Sequence, residues 1–357
     1  MSTNTSINHW QAERLPLKFT PWLRPMIWGG SKISHYKKLP APIDGIGESW
    51  EISAVPGHES VVAEGEFKGV TLGHLLEEYK ELLVGRHVYA TYGNRFPLLV
   101  KIIDAQQDLS IQVHPDDIIA KKRHGEGQFG KTEMWYVVDA EPGASLYAGL
   151  KKSITPAQYQ SLVASGEICS VLASHEVKTG DVFHIPAGRI HAIGSGILLV
   201  EVQQTSDITY RIYDYNRKGL DGKLRELHTE AAAEAIDYHV RSEYRTHYTN
   251  RKDAATLVIN CPYFTIRKVR SKGRFHRNMK KYDSFVICVC LKGDCQVQIK
   301  GEPSMVTLQE GSSVLIPACL ADYYILPSNP NGTVQLLEAF IDGRKGFWNT
   351  LLRFFHN

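Results

Sequence analysis

The sequence predicts a mainly β protein built from two similar β-barrel domains with a small helical insert, and three observations carry that expectation. From Ala255 onward, short apolar runs recur between turn signals at Lys292-Gly293-Asp294, Lys300-Gly301-Glu302 and Asn331-Gly332, the pattern of an antiparallel sandwich or barrel. The 357 residues exceed what one hydrophobic core usually organises. A weak internal repeat joins the halves: Gly180 is followed by Pro186, Gly188 and His191, and Gly311 at the same spacing by Pro317, Cys319 and Asp322. The expected domains are 1–250, with the insert around 153–172, and 251–357. The second keeps the scaffold spacing without the imidazole, so a metal site is expected in the first alone.

Taken in order, Pro16, Pro21 and Pro25 followed by Met26-Ile27-Trp28-Gly29-Gly30 read as an extended arm ending in a glycine turn, with Trp28 in the core. Gly47 to Ser53 is a strand with Glu48 and Ser49 near its start, either a surface edge or a pocket wall. Leu72, Leu75, Leu76, Tyr79, Leu82 and Leu83 have helical period behind Thr71, a fitting N-cap. Pro97 to Asp104 is a strongly apolar strand interrupted by Lys101, which must snorkel outward or face a polar interior. Pro115-Asp116-Asp117 caps a short helix, and the glycine-rich loop 124–130 leaves His124 solvated. Thr155-Pro156-Ala157-Gln158 opens the insert's helix. Strands follow at Asp181 to Ile185, Ile197 to Gln203 and Thr209 to Tyr215, then a helix from His228 to His239. In the second half, strands are expected at 257–260, 264–269, 284–291, 296–300, 313–316 and 334–339, and a short amphipathic helix from Gly346 to His356 closes the chain.

Composition narrows the partners. Lys plus Arg (41) against Asp plus Glu (38) leaves a net charge of +3, which supplies no broad polycationic field and argues against nucleic acid, though local basic clusters still suit phosphate. Met1 to Trp10 is polar and lacks the pattern of a secretory signal, and no run approaches the roughly 20 apolar residues of a membrane span. A cytoplasmic protein without a membrane partner is expected; nothing in the sequence sets an oligomeric state. Of six cysteines none forms a Cys-x-x-Cys pair, and Cys288, Cys290 and Cys295 lie in or beside an apolar strand, so they are read as core thiols.

The chemistry concentrates between Leu98 and His191. In an extended chain, residues i and i+2 share a face. Gln112 and His114 therefore look one way, with Ser110 behind them, and Lys131 shares a face with Glu133. If these strands line one barrel with His191, then Gln112, His114, Glu133 and His191 meet around a divalent ion. Two imidazoles, one carboxylate and one amide oxygen form an N/O set suited to zinc, with manganese, iron or cobalt as alternatives. Glu133 is the single anionic ligand, so the ion keeps a net charge near +1 and remains a Lewis acid.

Leu109-Ser110-Ile111-Gln112-Val113-His114-Pro115-Asp116, Gly130-Lys131-Thr132-Glu133-Met134-Trp135-Tyr136, the glycine-proline-histidine motif and Ser206-Asp207-Ile208-Thr209-Tyr210-Arg211 resemble the type I mannose-6-phosphate isomerases of the cupin superfamily, in their compact bacterial form. The resemblance implies jelly-roll barrels and a zinc-dependent isomerase that interconverts mannose 6-phosphate and fructose 6-phosphate through a cis-enediol, with a small sugar phosphate as partner. It places Gln112, His114, Glu133 and His191 as metal ligands, Lys131, Asp207 and Arg211 at proton-transfer, ring-opening and charge-stabilising positions, and Ser110 and Lys101 at substrate contacts. Longer members carry His immediately before the lysine of Lys-x-Glu, where this chain has Gly130.

The residue types suit that reaction. Moving a proton between adjacent carbons needs a base near both and an electrophile for the oxyanion. Lys131 beside a metal cation would have its pKa lowered towards the working range. Arg211 stays protonated and suits a phosphate or an enediolate. Two other readings stand beside the isomerase: a non-catalytic sugar-phosphate-binding cupin, and a metal-dependent oxygenase, against which the additional Gln112 counts.

Overall fold

The protein is described by a computed structural model over residues 14–345. The polar segment Met1 to Trp10 and the expected helix from Gly346 to His356 lie outside the described residues. The chain forms two compact units. One comprises Leu23–Trp50 and Leu99–Thr246; the other gathers the described residues up to Trp22, Glu51–Leu98 and the described chain from His247. Compactness in space thus interleaves stretches that a cut at 250/251 would separate.

The unit containing residues 99–246 is made of a six-stranded and a five-stranded sheet. The first runs in the order Val182–Ile185, Glu133–Ala140, Ile197–Gln204, Leu98–Ala105, Ile46–Ile52 and Trp22–Gly30. The second runs Tyr210–Tyr213, Ile111–Val113, His191–Ala192, Ser145–Leu150 and Leu172–Glu176. Trp135, Val137 and Leu199 of the first sheet close over Leu146 and Ala148 of the second to form one buried core. Alternation explains the placement: along Glu133, Trp135 and Val137 every second side chain enters that interior.

A second cluster packs the insert, where Tyr159 and Ile168 lie against Ile111 and Ile212. The insert's helix, Pro156–Ala164, starts on a capping box in which Thr155 Oγ1 accepts from Gln158 N and Gln158 Oε1 from Thr155 N. The helix Asp117–His124 is capped by Asp116, whose Oδ1 accepts from Ile119 N at 2.7 Å.

In the other unit a five-stranded sheet (Ala254–Asn260, Thr265–Ser271, Val334–Phe340, Val286–Lys292, Ser313–Ile316) and a four-stranded sheet (Phe275–Asn278, Asp322–Pro327, Cys295–Ile299, Met305–Leu308) enclose a separate core. Cys288, Cys290 and Cys295 are thiols fully buried in it, with no disulfide among them. Its helix Leu72–Val84 is capped by Thr71, as the sequence predicts. The repeat appears as matching elements: Gly180 and Gly311 both take positive φ (94° and 78°), and the strands Val182–Ile185 and Ser313–Ile316 both end at proline. Where the first barrel carries its ionisable cluster, the interior of the second is filled by Glu338, which takes Arg277 and Tyr323 Oη.

Several expectations need correction. Residues 22–30 are a strand rather than an arm ending in a glycine turn, because Gly29 crosses so close to the neighbouring chain that a Cβ there would sit 2.4 Å from Gly47 N. The helix near 228–239 is confined to Thr229–Ala235. Strands at Ser145–Leu150, Leu172–Glu176, Phe275–Asn278, Met305–Leu308 and Asp322–Pro327 had no counterpart in the sequence reading.

Candidate metal and sugar-phosphate site

The site is assembled on one rung of the five-stranded sheet. Gln112, central in the strand Ile111–Val113, stands opposite His191 on one side and Arg211 on the other. His114 follows two residues along on the same face, and Glu133 comes from the opposing sheet.

His114, Glu133 and His191 each offer a ligand atom, all within 4.8 Å of one another and all buried. His114 Nδ1–H donates to Ile208 O at 3.0 Å and His191 Nδ1–H to Arg189 O at 2.8 Å. A carbonyl only accepts, so both protons sit on Nδ1 and both Nε2 lone pairs are left to face inward. Each Nε2 lies 3.4 Å from an oxygen of Glu133: His114 from Oε2, His191 from Oε1. Burial pushes His114 down to about 3 and lowers His191 as well, which keeps both rings neutral. No proton therefore stands between these acceptors. His114 Nε2 and Glu133 Oε1 are buried without a hydrogen-bond partner, and Glu133 Oε2 faces the Lys131 ammonium, an arrangement that a cation would complete. Gln112 Nε2 lies 3.2 Å from His191 Nε2, and a half-turn of the amide presents its oxygen to the same point.

Lys131 Nζ is 3.1 Å from Glu133 Oε2 and the side chain is 4% exposed. Burial opposes its charge, but Glu133, Glu201 and Asp207 together outweigh burial and raise its pKa. The lowering anticipated from a metal neighbour is thus opposed by the protein's own carboxylates. Burial likewise opposes the charge on Glu133, and the Lys131 ammonium holds that carboxyl well below its usual range.

A cavity of about 230 Å³ opens above this cluster. Gln112 and Lys131 form its inner end, and Lys101, Ser110, Asp207 and Arg211 also line it. Lys101 faces the polar interior: it is buried, 3.3 Å from Glu201 Oε1 and over the Trp50 ring. Ser110 is buried, whereas Asp207 is exposed on the loop after Ile197–Gln204. His124 is exposed as expected, with Nε2 2.9 Å from Tyr210 Oη.

With this geometry in view, the likeness to known proteins is decisive. The model for the catalytic domain of type I phosphomannose isomerases matches residues 17–140, and that for the mannose-6-phosphate isomerase cupin domain matches residues 253–329. The mannose-6-phosphate isomerase ManA of Bacillus subtilis is 37% identical over 311 residues, which cover 86% of this chain and 95% of that protein. The chain belongs to the type I mannose-6-phosphate isomerase family. A mannose-6-phosphate isomerase of Streptococcus mutans is 34% identical over 85% of this chain and 92% of its own length. The crystal structure of the mannose 6-phosphate isomerase from Bacillus subtilis superposes with a TM-score of 0.81 at 33% identity, covering 91% of this chain and 99% of that one.

Within this isomerase fold the cavity has two further charged walls, Glu201, which sequence reasoning passed over, and Glu48, for which it left a pocket wall open. Glu201 accepts from Trp135 Nε1 at 2.9 Å, and burial, then repulsion from Glu133, raises its pKa. Glu48 accepts from Trp50 Nε1 at 2.7 Å and is 3.4 Å from Arg24; burial opposes its charge, but Lys101 and Arg24 win and lower its pKa. A signal for Glu201 was present, since a Glu inside Leu198-Leu199-Val200-Glu201-Val202 is as anomalous as Lys101 in its own apolar strand. Gly130 also has its explanation: a Cβ there would lie 2.4 Å from the Asp116 carbonyl carbon, so the position has no room for the histidine side chain that the resemblance led one to look for.

Proposed function

We propose that this protein is a metal-dependent aldose-ketose isomerase that interconverts mannose 6-phosphate and fructose 6-phosphate through a cis-enediol, with zinc as its ion and the cytoplasm as its place of action. The observation that carries the reading is the convergence of two Nδ1-protonated imidazoles on Glu133, with Lys131 on the same carboxylate and an open cavity above. His114, Glu133, His191 and the Gln112 amide oxygen would hold the ion, and a bound zinc would supply a Lewis acid for the oxygen on which negative charge develops.

The remaining work belongs to the chain. Lys131 is the acid-base group of this reading: as the free amine its Nζ would take the proton from one carbon and as the ammonium return it to the adjacent one, and a cation bound at Glu133 would offset the carboxylates that hold the ammonium. Arg211 keeps its charge and grips anionic oxygens; Lys101 and Ser110 orient the sugar from the opposite wall; Asp207 sits at the mouth, where ring opening needs a carboxylate. Burial of the donors excludes water from the proton transfer.

A coupled assay on zinc-loaded protein tests the proposal: turnover of mannose 6-phosphate to fructose 6-phosphate that a chelator abolishes and zinc restores. Tight sugar-phosphate binding with no turnover by the loaded protein would instead assign a binding module.

A further inference from the structure

Three guanidiniums line the cavity: Arg24, Arg211, which sits on the rung beside Gln112, and Arg225. Arg225 arrives by a strained path. After Tyr210–Tyr213 the backbone turns through Tyr215 and Asn216 at φ of 55° and 54°, closed by Arg217 N donating to Asp214 O at 3.0 Å. Positive φ at both central residues suits glycine or asparagine and strains tyrosine, so the turn must be held from outside. The chain then doubles back through a bridge between Lys218 and Leu224, and His228 N donates to Arg211 O at 2.7 Å, which lays the return beside the outgoing strand.

Both arms of this excursion end on one carboxylate. Asp214 is 4% exposed; its Oδ1 accepts from Arg217 Nη2 at 2.6 Å, and Arg225 Nη1 lies 3.3 Å from each of its oxygens. One negative charge facing two guanidiniums leaves the loop in positive excess. Nearby, Arg211 Nη1 donates to Glu226 O at 2.8 Å, while its Nε is buried without an acceptor. Two guanidiniums lining one cavity form a receptor for an oxyanion with several acceptor oxygens.

We propose that Asp214 is a positioning residue: by tying Arg217 and Arg225 to one carboxylate it fixes the Arg225 guanidinium next to Arg211 as a clamp for the substrate's phosphate, and so sets the preference for phosphorylated over free sugars. This rests on the sugar-phosphate reading above. Without Asp214 the Arg225 side chain regains its rotamer freedom and the strained turn loses its anchor. Within this clamp Arg225 serves the phosphate alone, at the end of the substrate remote from the reacting carbons, so its loss falls on binding.

Asp214→Asn and Arg225→Ala, each zinc-loaded, test this by calorimetric titration with inorganic phosphate and by steady-state kinetics with mannose 6-phosphate. Both variants are expected to weaken phosphate binding and raise KM about tenfold, the effect of losing one charge-assisted contact, with kcat changing by less than about threefold. Arg225→Lys should recover part of the loss. Unaltered phosphate affinity and KM in both variants would overturn the proposal, as would a fall in kcat and Tm with phosphate affinity intact, the mark of a purely structural role. Phosphate titration does not depend on turnover: a wild type that binds phosphate through Arg225 yet leaves mannose 6-phosphate unchanged would retain the clamp and sink the isomerase reading alone.

Discussion

Lys131 and Glu133 share a strand face, and Lys131 Nζ stands 3.1 Å from the oxygen of Glu133 that His114 Nε2 also approaches, at 3.4 Å. One carboxylate is thus shared by the candidate metal donors and the lysine proposed for proton transfer. Metal occupancy and the protonation of Lys131 are coupled through it.

The two roles separate by mutation. Lys131→Ala removes the ammonium and leaves the donors in place, so metal content should match the wild type while kcat falls by roughly 10²–10⁴, the usual worth of a positioned proton-transfer group. Metal analysis beside the coupled assay checks this, and near wild-type rates would remove Lys131 from the proton-transfer role.

His114→Ala should lose the ion itself. Because a metal that binds the folded state stabilises it, chelation should lower the thermal midpoint of the wild type and leave that of His114→Ala unmoved. A wild-type midpoint indifferent to chelator would show that the three buried acceptors hold no metal.

Gly130→Ala tests why this chain lacks a side chain before Lys131. The added Cβ would meet Asp116 and Asp117 backbone atoms at 2.4–2.8 Å, and Gly130 N donates to Asp117 Oδ1 at 2.8 Å. Backbone cannot yield as a flexible side chain does, so a loss of about 1–3 kcal/mol in denaturant unfolding is expected. A variant as stable as the wild type would show that the segment 116–117 shifts freely.

His184 gives the fold an acid sensitivity independent of the donors. Burial, with help from Arg189, lowers its pKa to about 4, and its Nε2 is buried without a partner. An unfolded chain protonates this ring near pH 6.5. Between about pH 6.5 and 4 the unfolded state binds the extra proton, so stability falls as pH falls through that window and levels off below it. His184→Asn should show a smaller drop in thermal midpoint from pH 7 to pH 4.5 than the wild type; equal drops would mean that the ring titrates normally in the fold.

Local structure and the donor types are legible in the order of the residues. Apolar alternation around Gln112 and His114, the caps at Thr71, Asp116 and Thr155, and glycine and proline around His191 are properties of a few neighbouring residues, which is why they are legible in one dimension. The mainly β fold and the family motif follow from the same short-range patterns. Phe275-His276-Arg277-Asn278 and Asp322 to Pro327 escaped because their strand character is not local: each is held by ladder bonds to a distant segment, and a basic run or a terminal proline argues against a strand when read alone.

Which atoms meet depends on how the chain closes on itself. His191 lies in a strand of two residues, and its place opposite Gln112 is a pairing across 79 positions. The Nδ1 proton of His114 is set by Ile208 O, and Arg225 reaches the cavity wall through a turn anchored on Asp214. Such contacts gain their energy only when chain segments far apart in sequence close on one another, and the residue types alone leave open which carbonyl, carboxylate or guanidinium will be there to receive them.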